Sequence, residues 1–125
     1  MTDHRERLDG LDPALIDAAD RILRAMAAFG CPMFVAEGVR SQERQALLYA
    51  QGRTLPGAIV TNVDGVTVVG AHQTGRAMDL AFQDPHPWDD RHPWAVYGAL
   101  VEACGLVWGG RFRSLHDCPH AELRG

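Results

Sequence analysis

The chain contains no lysine: all twelve basic residues are arginine, against sixteen acidic residues, for a formal net charge of -4. That balance supplies no basic surface for phosphate backbones, so no nucleic-acid partner is expected. No run approaches the roughly 18–20 apolar residues of a membrane span, so no membrane insertion is expected either. The charged first seven residues lead into no apolar stretch, and no signal peptide is expected. There are only three cysteines, Cys31, Cys104 and Cys118. They cannot all pair within one chain and match no zinc-knuckle spacing, so free thiols are expected. Repeats, low-complexity tracts and linkers are absent, and 125 residues fit a single domain spanning 1–125.

What is present alternates short helical and extended patterns. Asp12-Pro13 reads as a helix start. Leu15, Ile16, Ala19, Ile22, Leu23, Met26 and Ala27 follow at helical spacing to a stop at Gly30. Residues 33–37 have β character. Ser41 caps a second helix running to about Gln51, with Leu47, Leu48 and Ala50 inward and Gly52 as its stop. Residues 53–75 are rich in turn formers, and Asp64-Gly65 predicts a hairpin between residues 58–61 and 66–69. Residues 78–82 alternate as a strand, with Met78, Leu80 and Phe82 on one face and Asp79 on the other. After a proline-rich loop, residues 94–104 form a third helix ended by Gly105, and residues 106–108 a short strand. The mixture predicts an α+β domain with a small antiparallel sheet and flanking helices.

Two stretches carry chemistry: Gly70-Ala71-His72-Gln73-Thr74-Gly75-Arg76-Ala77-Met78-Asp79 and Asp117-Cys118-Pro119-His120. Gly70 and Gly75 let the backbone bend, so His72 can turn toward the strand that carries Asp79. A carboxylate on that apolar strand needs a partner, either a metal or an arginine. Pro119 restricts the backbone between Asp117 and His120 so that both side chains can converge. Two imidazoles and one carboxylate form a ligand set of catalytic Zn2+, with water in the fourth position. His72, Asp79 and His120 are the expected ligands and Asp117 the expected proton acceptor. Arg40, between a strand end and a helix start, is the candidate cation for a developing oxyanion; a surface ion pair with Glu37 or Glu43 is the alternative. His4, His86, His92 and His116 are expected outside the ligand set, Glu122 at most in an outer-shell bond. Trp88, Trp94 and Trp108 are expected as core or cleft wall.

Around these motifs lie Glu37-Gly38-Val39-Arg40-Ser41-Gln42-Glu43-Arg44-Gln45, Leu48-Tyr49-Ala50-Gln51-Gly52-Arg53-Thr54, Pro56-Gly57 and Ile59-Val60-Thr61-Asn62. Together with the motifs they resemble the L-alanyl-D-glutamate peptidases of the D-alanyl-D-alanine carboxypeptidase superfamily of zinc peptidases, which includes many phage endolysins. The resemblance spans about residues 11–122. It implies the α+β fold shared with the hedgehog signalling domain. It also implies zinc on His72, Asp79 and His120, Asp117 as acid/base, and Arg40 steadying the substrate or its oxyanion. The implied substrate is the peptidoglycan stem peptide, cut between L-alanine and D-glutamate. The enzyme is expected to be a monomer made in the cytoplasm without a leader, reaching the cell wall after holin-type release; a recycling enzyme acting on imported muropeptides fits the sequence equally. A D-alanyl-D-alanine carboxypeptidase or dipeptidase is the second reading, a zinc-bearing binding module without catalysis the third. Two positions depart from the family's habit: Gly70 stands where serine is usual, which bears on substrate affinity, and Ala121 where a large apolar residue is usual, which implies a smaller wall beside the metal.

Overall fold

The computed structural model describes residues 7–125. Its first long helix, α1 (Pro13–Phe29), starts where Asp12 Oδ1 accepts from the Ala14 N–H at 2.8 Å. It ends at Gly30, whose φ of 93° is the left-handed cap that a glycine tolerates. Leu15, Ala18, Ala19, Ile22 and Met26 form its buried stripe. Ile16 and Ala27, expected on that stripe, are exposed at its edge.

Strand β1 (Met33–Glu37) follows, then helix α2 (Gln42–Ala50), capped by Ser41 Oγ accepting from Arg44 N–H. This helix turns outward: Leu47 is exposed, and the one residue it buries is Gln45. The inward Leu47 expected from the sequence is therefore corrected. A nine-residue helix flanked by polar loops has no wide apolar face to bury, and its contribution is a polar tether. The hairpin expected around Asp64-Gly65 does not form a ladder. The Asp64 carboxylate instead accepts the N–H groups of Val66, Thr67 and Val68, groups a second strand would have donated across a pair. Residues 58–69 run as an irregular arm with Val66, Val68 and Val69 exposed.

A 3₁₀ turn over Ala71–Thr74 leads into β2 (Ala77–Phe82), then come α3 (Trp94–Ala103), β3 (Val107–Trp108) and β4 (His120–Glu122). The sheet has the order β1-β2-β4-β3, all neighbours antiparallel. One face packs against α1 and α3 through Met33, Val35, Met78, Leu80, Phe82, Tyr97, Val101 and Ala121. The other face carries the polar motifs, as the alternation along β2 predicts. Ala121 lies on the core face, fully buried, so its small side chain is not a wall beside the site.

Two aromatic residues of the core hold the second motif from beneath. The Tyr97 hydroxyl donates to the Pro119 carbonyl at 2.7 Å, and Trp108 Nε1 donates to the Cys118 carbonyl at 2.8 Å. Trp108 reaches that position by lying flat across Gly98 of α3, where a Cβ would overlap three atoms of the indole. Gly98→Ala is therefore expected to destabilise the protein by about 1–3 kcal/mol in urea unfolding. The clash with a rigid ring outweighs the roughly 1 kcal/mol that alanine gains in helix propensity. An unchanged or raised midpoint would refute this packing.

Candidate metal centre

The sheet itself assembles most of the site. Asp79 on β2 stands directly opposite His120 on β4 as a cross-strand pair, so both side chains leave the same polar face. Register with β1 is broken between Val35 and Glu37, a bulge at Ala36. Without it Glu37 would follow Val35 onto the core face; with it Glu37 pairs with Asp79 and joins the polar face. His72 comes from the 3₁₀ turn. Gly75, at φ 74°, reverses the chain between that turn and β2 and so returns His72 toward Asp79. Gly70 has an ordinary φ of -81°, so the bend expected there is not needed.

His72, Asp79 and His120 each offer one ligand atom, all within 4.8 Å of one another. His72 Nε2 lies 3.2 Å from His120 Nδ1, and the two nitrogens lie 3.3 and 3.4 Å from Asp79 Oδ1. Both rings are buried. Their outward nitrogens are already committed: His72 Nδ1 faces the Gly38 carbonyl at 3.0 Å, and His120 Nε2 faces Glu122 Oε1 at 2.8 Å. Each of those oxygens only accepts, so each fixes the proton on the outward nitrogen and leaves a lone pair on the inward one. Asp79 Oδ1 is buried without a hydrogen-bond partner. The two inward nitrogens and this orphaned oxygen converge in a buried space where a proton or a metal cation must lie between them. The donor set suits Zn2+, with two imidazoles and one carboxylate.

The electrostatics agree with that reading. Burial works against the Asp79 charge, but the imidazoles of His120 and His72 outweigh it and hold the carboxyl well below the usual carboxylate range. Burial also works against a charged His120. Its contacts with Asp79 and Glu122, and the charge of Asp117, push it up to about 9 nonetheless. In the metal-free protein the extra proton on Nδ1 occupies the place where a cation would be held.

Asp117 has its Oδ2 3.8 Å from His120 Nδ1, and its side chain remains partly open to the cleft. Burial and the negative charge of Asp79 raise its pKa, opposed by His120, His72 and Arg40. A half-exposed carboxyl with a raised pKa beside the ligand set fits the part of a proton carrier.

Arg40 reaches the site but is heavily engaged. Nε and Nη2 donate to the two oxygens of Glu37 at 2.8 and 3.0 Å, Nη1 donates to Gln45 Oε1 at 2.9 Å, and Nη2 lies 3.6 Å from Asp79 Oδ2. The ion pair with Glu37 is present, but in a largely buried setting and not at the surface. Arg40 is also among the residues that line the cleft. Gln45 went unread in the sequence as anything but a helix residue. Fully buried, it accepts from Arg40 and donates to the Val63 carbonyl at 2.7 Å, tying the irregular arm to the site. Only its i+5 spacing from Arg40 was visible beforehand.

The site opens into a cleft of about 840 Å3. Its walls are the arm (Ile59, Val60, Val63), Trp88, and the segment around Phe112 and Leu115. Leu115 holds a positive φ of 51°, unusual for leucine. His116 is exposed, its Nδ1 on the Gly110 carbonyl, and His86 is exposed in the proline-rich loop. His92 is half-buried, a loop position where solvent exposure would be the sequence expectation: it stacks on Phe82 at 4.4 Å between ring centres. His4 lies outside the described residues. Cys31, Cys104 and Cys118 are free thiols.

Comparison with known proteins places this arrangement. A family model described as D-alanyl-D-alanine carboxypeptidase matches residues 65–123, which contain all three candidate ligands and Asp117. The peptidoglycan L-alanyl-D-glutamate endopeptidase CwlK of Bacillus subtilis (strain 168) is 32% identical over 124 residues, covering 90% of this chain and 73% of CwlK. The crystal structure of the L-Ala D-Glu endopeptidase ChiX of Serratia marcescens superposes with a TM-score of 0.67 at 26% identity, covering 97% of this chain and 86% of that one. The fold is also that of the vancomycin-resistance D,D-pentapeptidase VanY, solved in complex with Zn(II). The TM-score there is 0.59 at 19% identity, over 92% of this chain and 73% of that one. By its likeness to CwlK, and with a candidate ligand triad in place, the chain belongs to the D-alanyl-D-alanine carboxypeptidase superfamily of zinc metallopeptidases, alongside the L-alanyl-D-glutamate endopeptidases.

Proposed function

We propose that the protein is a zinc-dependent peptidoglycan peptidase that hydrolyses the L-alanyl-D-glutamate bond of the stem peptide. The observation that carries this reading is the unsatisfied Asp79 Oδ1 converging with one nitrogen from each of two buried imidazoles, in a cleft of about 840 Å3. The likeness to CwlK and ChiX supports the choice of bond.

His72, Asp79 and His120 would hold the metal, which when bound lowers the pKa of its water and polarises the scissile carbonyl. Asp117 accepts the proton of the attacking water and returns it to the leaving amine; its raised pKa makes it the better proton acceptor. Arg40, with Nη2 3.6 Å from Asp79 Oδ2, would offer an N–H to the oxyanion.

Mass spectrometry of defined muropeptides digested with and without a chelator tests the reading. Chelator-sensitive release of the L-alanine-linked fragment supports it. Free D-alanine would favour the D,D-carboxypeptidase reading instead, and intact muropeptides with zinc bound would favour the binding module.

We further propose that one domain spanning 1–125 acts as a monomer in endolysin-like cell-wall lysis, released to the wall from the cytoplasm. No described helix is long and apolar enough to cross a membrane. Lysis of host cells only when the chain is co-expressed with a membrane-permeabilising partner would support that route.

Gly70 lines the cleft, and a Cβ there would sit 3.4 Å from Val63 Cγ1, an ordinary contact. Gly70→Ser is therefore expected to fold normally. It is also expected to lower KM by roughly 2–10-fold, the worth of one added hydrogen bond to substrate. A KM unchanged in steady-state assays would place the substrate elsewhere in the cleft.

A further inference from the structure

The two histidines of the site are oriented by different means. His72 leans on a main-chain carbonyl, which the β1–α2 connection fixes whatever its side chains. His120 leans on a side chain, Glu122 Oε1, at 2.8 Å from Nε2. Period-2 alternation along β4 puts His120 and Glu122 on the polar face and Ala121 in the core. The backbone of Glu122 is held on both sides, paired with Ala77 of β2 and Val107 of β3. The carboxylate therefore has a rigid base, in the centre of the sheet, from which to hold the ring.

We propose that Glu122 is a positioning residue of the metal centre: its carboxylate fixes the rotamer and tautomer of His120 so that Nδ1, and not Nε2, is the ligand atom. This rests on the zinc-peptidase reading of the same site. A carboxylate can only accept from Nε2, so the lone pair stays on Nδ1, which lies 3.4 Å from Asp79 Oδ1 and 3.2 Å from His72 Nε2. Phe112 tilts against the outer face of the ring at 5.5 Å between centroids but offers no hydrogen-bonding atom. Among the described contacts, Glu122 alone occupies Nε2. Without it, His120 is free to exchange tautomers and to turn Nδ1 away. A merely structural role would alter folding stability alone.

The test is metal binding, read without turnover. Zn2+ affinity is measured by competition with a chromophoric chelator, and the ligand field by the visible spectrum of the Co2+-substituted protein. Glu122→Ala is expected to weaken zinc roughly 10–100-fold and to shift the Co2+ bands. Glu122→Gln is expected to fall between, because its amide presents either an acceptor or a donor and holds the ring without dictating the tautomer. Glu122→Ala with wild-type affinity and an unchanged Co2+ spectrum would overturn the proposal. If the alanine variant fails to fold, the glutamine variant decides by the same two readouts, and no change in either would overturn it. Failure of the wild-type protein to take up one equivalent of Zn2+ or Co2+ would instead overturn the zinc reading itself.

Discussion

Asp117→Asn is expected to bind zinc as tightly as the wild-type protein and to lose about 10²–10⁴ in kcat on a stem-peptide substrate. The substitution keeps size and hydrogen-bonding reach but removes the group that takes and returns a proton. Asp117 is near the metal site without belonging to the buried triad. Its Oδ2 lies 3.8 Å from His120 Nδ1, and its side chain is 44% exposed where Asp79 is 14%. The exposed one has room to meet a substrate, and the buried one has room only for a cation. The prediction therefore separates two carboxylates of similar chemistry by environment. Steady-state rates paired with metal content by atomic absorption check it. Activity retained in Asp117→Asn would move the proton carrier to another group, and zinc lost from it would make Asp117 a ligand.

The sequence disclosed the parts whose physics is local. Asp12-Pro13 and Gly30 bound α1 because capping and the left-handed stop act within a few residues. The alternation through Met78, Leu80 and Phe82 put Asp79 on the polar face because side-chain period needs no tertiary information. His72, Asp79 and His120 were legible as a ligand set by type, and the fold brings them together. Non-local features were not legible. The bulge that turns Glu37 to the site depends on how β1 meets β2. The burial of Gln45 depends on where the arm crosses α2. Asp64-Gly65 carries a strong turn signal. There the aspartate's own capping bonds defeat the hairpin, and the exposed valines on either side find no partner strand. Ala121 shows the same limit, since only the register of β4 says that it faces the core.

Removing the metal is expected to abolish activity and to make stability fall with rising pH between pH 6.5 and 9. In the chelated protein His120 titrates at about 9, against about 6.5 for an unfolded histidine. A pKa raised by folding stabilises the folded state fully below the unfolded value, and the contribution fades as pH rises through the folded value. The metal-free protein is therefore expected to lose on the order of 1–3 kcal/mol between pH 6.5 and 9, seen as a falling melting temperature in EDTA. Zinc binding must displace the Nδ1 proton, so its affinity is expected to rise over the same window by up to about tenfold per pH unit. The stabilisation by saturating zinc, taken as the difference between the loaded and chelated melting temperatures, is thus smallest near pH 6.5 and grows toward pH 9. A carboxylate triad of the surface kind would show neither trend, because its groups finish titrating below pH 6. A chelated protein whose melting temperature is flat across the window would mean that Asp79 and Glu122 do not hold a proton on His120. The buried convergence of those groups, on which the metal centre depends, would then be wrong.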